Sequence, residues 1–176
     1  MQTKIKRDRG FEVVDQDYRK YPNVVPQLPQ RKTKYSAGYD FYSPISIQIP
    51  PHQTVCIETD IKAYMYPNEV LLLYIRSSLG IHKHLILSNC TGVIDSDFYN
   101  NTDNGGNITI ALYNYGDTPV DIEAGDRIMQ GVFTTYLIAD SGNSNAVRTG
   151  GTGSTDAHKE PYIIGVDLAR EEDDIS

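Results

Sequence analysis

The side chains with the most chemical potential cluster in a few short stretches. In GVIDSDFY (residues 92–99) the apolar pair Val93-Ile94 delivers Asp95 to the start of a turn. An aspartate at the end of a rigid strand can hold a water for in-line attack, as general base or by orientation. The same octapeptide also reads as a turn with two ordinary acids, Asp95 and Asp97, which on a strand would face the same way. In IRSSLG (residues 75–80), Arg76, Ser77 and Ser78 directly follow an apolar run. Arginine offers a planar fork to phosphate or carboxylate. Hydroxyls and N–H groups at a helix start bind phosphate oxygens. A plain helix cap beside a surface arginine is the competing reading. No G-x-S-x-G pattern surrounds Ser77, so it is a hydrogen-bond donor rather than a nucleophile.

Three further stretches carry polar groups of interest. SAGYDFYSP (residues 36–44) sets Asp40 between two tyrosines, as a strand-end acid or one that reaches a metal indirectly. GDRIMQGVF (residues 125–133) places the amide of Gln130 inside a strand, either satisfied in the core or aimed at a ligand. RTGGTGSTD (residues 148–156) joins Arg148, Ser154 and Thr155 through glycine-rich backbone. Such backbone can turn successive N–H groups toward an anion, but it also suits a slack linker. It lacks the lysine and following helix of a Walker loop. His82 and His84 flank Lys83 with no matching third ligand, and read as surface residues.

The elements that must position these groups are strands. ISIQI (45–49), TVCIET (54–59) and NITIALYN (107–114) alternate apolar and polar residues, which gives each one inward and one outward face. EVLLLYI (69–75) is continuously apolar, as expected of a strand covered on both sides, and DRIMQGVFTTYLI (126–138) reads as one long strand. Turn signals separate the runs. Only residues 77–83 suit a short helical turn. Many short strands with regular turns predict an all-β jelly-roll-like sandwich or barrel. The proline-spaced stretch 21–34 is extended connection. PYIIGVDLA (161–169) could form one more short strand.

Bulk properties narrow the class. The chain of 176 residues is long enough for one domain with a proper core. No apolar run approaches the length of a membrane span, and the charged start MQTKIKRDRG has no secretory character, so the expected location is cytoplasmic. The net charge of −7 argues against a general nucleic-acid binder. Cys56 and Cys90 read as reduced, half-buried thiols.

Taken in order, AGYDFYS, RSS, NCTGVIDSDF, GDRIMQGVF and RTGGTGST resemble the motifs of the trimeric dUTP diphosphatases, over most of residues 10–156. RGFEVV and FYNNTDNGGNI resemble the version in low-GC Gram-positive bacteria and their phages. The resemblance implies a jelly-roll core (1–140), a glycine-rich arm (141–156) exchanged between subunits, and an acidic extension (157–176) that reads as disordered or as a place for a protein partner. It implies a homotrimer with sites between subunits, dUTP as substrate and Mg2+ as cofactor, held mainly by the substrate phosphates. Asp95 then activates water, with Arg76 bracing it and Ser77 beside it. Asn89, Gly92 and Ile94 belong to the hairpin that reads uracil. Phe98 packs under deoxyribose, in place of the usual tyrosine. Ser78 and Gln130 contact or support the phosphates. Arg148, Ser154 and Thr155 grip the terminal phosphate, and Asp40 holds magnesium through water. Thr152 stands where the family carries a phenylalanine that stacks on the base. A dUTP-binding regulatory or interaction protein on the same scaffold is the alternative function. The related dCTP deaminases and a jelly-roll lectin or capsid protein fit the motifs less well.

Overall fold

The computed structural model describes residues 7–142, 144–146, 148 and 150. Among the described residues, eleven strands and one short α-helix follow one another. In order these are β1 Gly10–Val13, β2 Tyr39–Tyr42, β3 Ile47–Ile49, β4 Thr54–Glu58, β5 Ile61–Tyr64, β6 Glu69–Ile75, α1 Ser77–His82, β7 Leu85–Leu87, β8 Gly92–Asp95, β9 Thr109–Asn114, β10 Val120–Ile122 and β11 Arg127–Thr135. All pair antiparallel, in a four-stranded sheet β2-β11-β6-β8, a three-stranded sheet β4-β9-β7, and the ribbons β1-β5 and β10-β3. The expected all-β, jelly-roll-like architecture with one helical turn is the one observed.

Alternation decides the faces. Along β9, Ile110, Leu112 and Asn114 are buried between less buried neighbours. Along β4, Val55 and Ile57 do the same. These side chains meet Phe41, Leu71, Leu73, Ile94, Ile128 and Met129 of the four-stranded sheet in a single core. Each fully buried aliphatic contributes about 1.5–3 kcal/mol relative to exposure. Asn114 is the polar exception, fully buried, and its amide donates to the carbonyls of Ile49 and Thr118.

Some expectations need adjustment. Strand β9 begins at Thr109 because the Asn107 side chain is bonded to Asp60, a wholly buried acid that also accepts from the N–H groups of Lys20 and Tyr21. That acid pins the proline-rich connection. Strand β11 stops at Thr135, before the exposed Leu137 and Ile138. Of the apolar pair Val93-Ile94 only Ile94 is buried; Val93 is 58% exposed, since neighbours on a strand face opposite sides. Cys90, expected to be half-buried, is exposed, and both cysteines are free. PYIIGVDLA and the acidic extension lie outside the described residues.

Candidate active site

Register fixes where the polar groups point. Across the four-stranded sheet, Asp40, Gln130 and Tyr74 form one row, Val132, Leu72 and Val93 the next, and Thr134, Val70 and Asp95 the third. Successive rows on one face are two residues apart, so all of these share the face turned away from the core. Asp40, Gln130 and Asp95 are thus on one surface. They are not together, however. Asp95 sits opposite Val70 near the start of β6, whereas Arg76 follows its last residue, Ile75. Six residues of strand separate those positions by about 20 Å.

The end near Arg76 is an arginine–aspartate cluster. Arg76 Nε donates to Asp40 Oδ1 at 3.0 Å, and Arg127 Nη1 donates to Asp40 Oδ2 at 3.1 Å. Arg76 Nη1 also reaches the Arg127 carbonyl at 3.3 Å. The Asp40 side chain is 11% exposed, so two guanidinium groups offset a largely desolvated carboxylate. Within one chain Arg76 is thus bonded to Asp40, with Asp95 of the same chain at the other end of β6. Gly38 makes room for the neighbouring amide, because a Cβ there would lie 2.5 Å from Gln130 Oε1. Ser77 and Ser78 open α1 just beyond Arg76 and are exposed, while buried Leu79 anchors the helix. Arg127 was not legible as a site residue. Its signal is the register that puts it at the β2 end beside Asp40.

The other end holds Asp95, whose side chain is 45% exposed. Arg148 Nη2 donates to Asp95 Oδ2 at 2.6 Å, its Nε donates to Asp97 Oδ1 at 3.0 Å, and the guanidinium lies 5.8 Å from the Phe98 ring centre. Asp97 is on a 3-10 turn, Ser96–Phe98, not on the strand, yet the arginine draws both acids together. The first residue of the glycine-rich stretch therefore sits on Asp95 of its own chain. Thr152, Ser154 and Thr155 lie outside the described residues.

Between the sheets opens a cavity of about 440 Å³. Leu73, Gly92 and Met129 line it from one sheet, and Cys56, Leu87 and Ala111 from the other. Asn89 and Ser88 join its lining from the connection between β7 and β8. That connection turns sharply, with Cys90 at φ 62°. Gly92 is required by close approach: a Cβ would sit 2.9 Å from Leu73 Cδ1. Ile94, by contrast, points into the core and is 9% exposed. Burial raises the Cys56 thiol above its ordinary value, with Glu58 adding to the effect, so it stays protonated in the wall. The volume falls in the range of about 300–1,000 Å³ usual for small-molecule sites.

Among the described residues no group of three or more His, Cys, Asp or Glu is placed to hold a metal. His82 and His84 are exposed. No described helix is long and apolar enough to cross a membrane.

The sequence and the fold both match those of known proteins. The dUTPase family pattern matches residues 26–156. Deoxyuridine 5'-triphosphate nucleotidohydrolase of Lactococcus lactis subsp. lactis (strain IL1403) is 45% identical over 151 residues, covering 85% of this chain and 98% of that protein. The Haemophilus influenzae (strain PittEE) protein of the same name is 38% identical over 117 residues, 64% of this chain and 73% of that one. Among solved structures, the dUTPase from Streptococcus mutans superposes with a TM-score of 0.65 at 42% identity, covering 75% of this chain and 99% of that one. The dUTPase of phage phi11 of S. aureus, described with a structural Mg(II) ion, shares the fold at 19% identity with a TM-score of 0.62, over 80% of this chain and 98% of that one. Motifs, fold and relatives agree: this chain belongs to the dUTPase family.

Proposed function

We propose that the chain hydrolyses dUTP to dUMP and pyrophosphate at sites assembled between the subunits of a homotrimer. The observation that carries this reading is the separation of Asp95 from Arg76 along β6, about 20 Å by strand rise. Groups that must meet one substrate cannot do so within one chain. A second subunit brings them together. The apolar outer face, with Leu72, Val93 and Val132, supports a partner there.

In this reading the cavity at Asn89 and Gly92 takes uracil, and its polar rim favours a base with matching donors and acceptors. Phe98 lies beneath the sugar. Asp95 orients a water toward the α-phosphorus and accepts its proton, while the bond to the β-phosphate oxygen breaks in line and pyrophosphate departs. Arg76, with Ser77, Ser78 and Gln130, binds phosphate oxygens from the neighbouring subunit. Arg148 passes from Asp95 to the phosphate chain and frees the carboxylate. Ser154 and Thr155 complete the arm, residues 141–156.

Magnesium fits this donor set as an ion carried by the triphosphate. Asp40 has both oxygens engaged by arginines, with lone pairs left for an ordered water, which suits a cation that keeps most of its own waters. When bound, the ion offsets phosphate charge.

Pyrophosphate release from each deoxynucleoside triphosphate, with magnesium and beside a mass measurement, tests the reading. Turnover of dUTP alone is expected, with kcat lowered about a thousand-fold in Asp95→Asn. A trimer without turnover sinks it. That result would favour the second reading, a dUTP-binding regulatory protein, for which Thr152 at the stacking position is the motivating feature.

A further inference from the structure

A buried lysine underlies the turn that follows Asp95. Lys62 is on β5, and its side chain is only 4% exposed. Its Nζ donates to Asn100 Oδ1 at 2.6 Å, faces Asp15 Oδ1 at 3.3 Å, and lies 5.2 Å from the Tyr99 ring centre. In the β1-β5 ribbon Lys62 is paired in register with Glu12. Glu12 Oε2 accepts a hydrogen bond from the Tyr99 hydroxyl at 2.6 Å. Two facing residues of one ribbon thus hold two consecutive residues of the loop, directly after Phe98.

The loop cannot hold this shape unaided. Asn100 is in the left-handed region at φ 55°. The Phe98 carbonyl accepts from Asn101 Nδ2 at 2.9 Å and is crowded by Gly106, where a Cβ would sit 2.9 Å from it. Burial, aided by the Glu12 bond, pushes the Tyr99 hydroxyl up to about 12, so it remains a donor. A desolvated ammonium costs several kcal/mol unless its partners hold it well. An apolar side chain would serve packing alone at less cost.

We infer that Lys62 and Glu12 are positioning residues for Phe98 and thereby set the preference for deoxyribose over ribose. This rests on the proposed place of Phe98 beneath the sugar. Steric exclusion of a 2′-hydroxyl needs a ring that cannot recede, and a displacement of about 1 Å is enough to degrade a site. Tethers at Tyr99 and Asn100 deny the ring that movement. The ribbon is itself anchored, since Phe11 of β1 packs on Phe41 and Phe133 with ring centres 5.3 Å apart.

The test compares kcat and KM for dUTP and UTP in Lys62→Met, Asn100→Gly and Asn100→Asp, with melting temperatures. Glycine keeps the left-handed backbone and removes the tether, whereas aspartate keeps an acceptor for Lys62. In Lys62→Met and Asn100→Gly the dUTP/UTP ratio of kcat/KM is expected to fall about ten-fold. The fall comes through KM, with kcat for dUTP changing less than about two-fold. Asn100→Asp is expected to retain the ratio. An unchanged ratio in Asn100→Gly overturns the inference, as does equal loss in Asn100→Asp. If Lys62→Met does not fold, the exposed Asn100 variants decide alone. Absence of dUTP turnover in the unmodified protein refutes the proposed function instead.

Discussion

At the scale of single residues, Asp40 organises one end of the candidate site. Each of its oxygens takes one arginine, Arg76 and Arg127. Asp40→Asn leaves one of them facing an amide nitrogen, and two positive charges lose their counter-charge. Hydrogen bonds to charged groups are each worth about 1.5–3 kcal/mol. We expect a loss of about 2 kcal/mol in urea unfolding at fixed protein concentration, with a raised KM for dUTP. Wild-type stability in this variant would show that the arginines find other partners. Asp40, Arg76 and Gln130 stood out from their motifs, but the identity of their contacts did not. The intrachain pairing of Arg76 with Asp40 depends on which strand ends lie side by side.

At the scale of elements, the short strands leave little periodic signal in the sequence. β4, β6, β9 and β11 announce themselves by alternation or by a long apolar run. β1, β2, β5, β7 and β10 are three or four residues each, too short for a period of two to register. Their pairing is set by contacts distant in sequence. The strand β6 shows this at its start, where Glu69 is 6% exposed and takes two oxygens' worth of bonds from Arg9 Nε at 3.0 Å. The Arg9 bond, with the Tyr66 N–H, holds the Glu69 carboxyl below its ordinary 4.5. A depressed carboxylate stabilises the fold fully above that ordinary value, and the contribution disappears as pH falls through the depressed one. Glu69→Gln should therefore melt below the wild type at pH 7, and the two should converge as pH drops below 4.5. A constant gap across that range would disprove the assignment.

At the scale of the whole molecule, the spacing along β6 makes a sharper demand. If Asp95 of one subunit serves the Arg76 cluster of another, two inactive variants can rescue each other. Asp95→Asn and Arg76→Ala subunits, mixed and reassembled one to one, should recover about a quarter of wild-type activity, because each site draws the two residues independently. No recovery in verified mixed trimers would place both residues in a site of one chain. The sequence by itself determined the class of fold and the family, and it singled out the candidate site residues, because alternation and motif order are local properties of the chain. Only the tertiary structure decided that Arg76 pairs with Asp40, that Arg148 rests on Asp95, that Lys62 underlies the Phe98 turn, and that Asp95 and Arg76 stand at opposite ends of β6. Apart from the Arg148 contact, those facts follow from strand register and sheet order, which pair residues up to 92 positions apart, Tyr39 with Gly131.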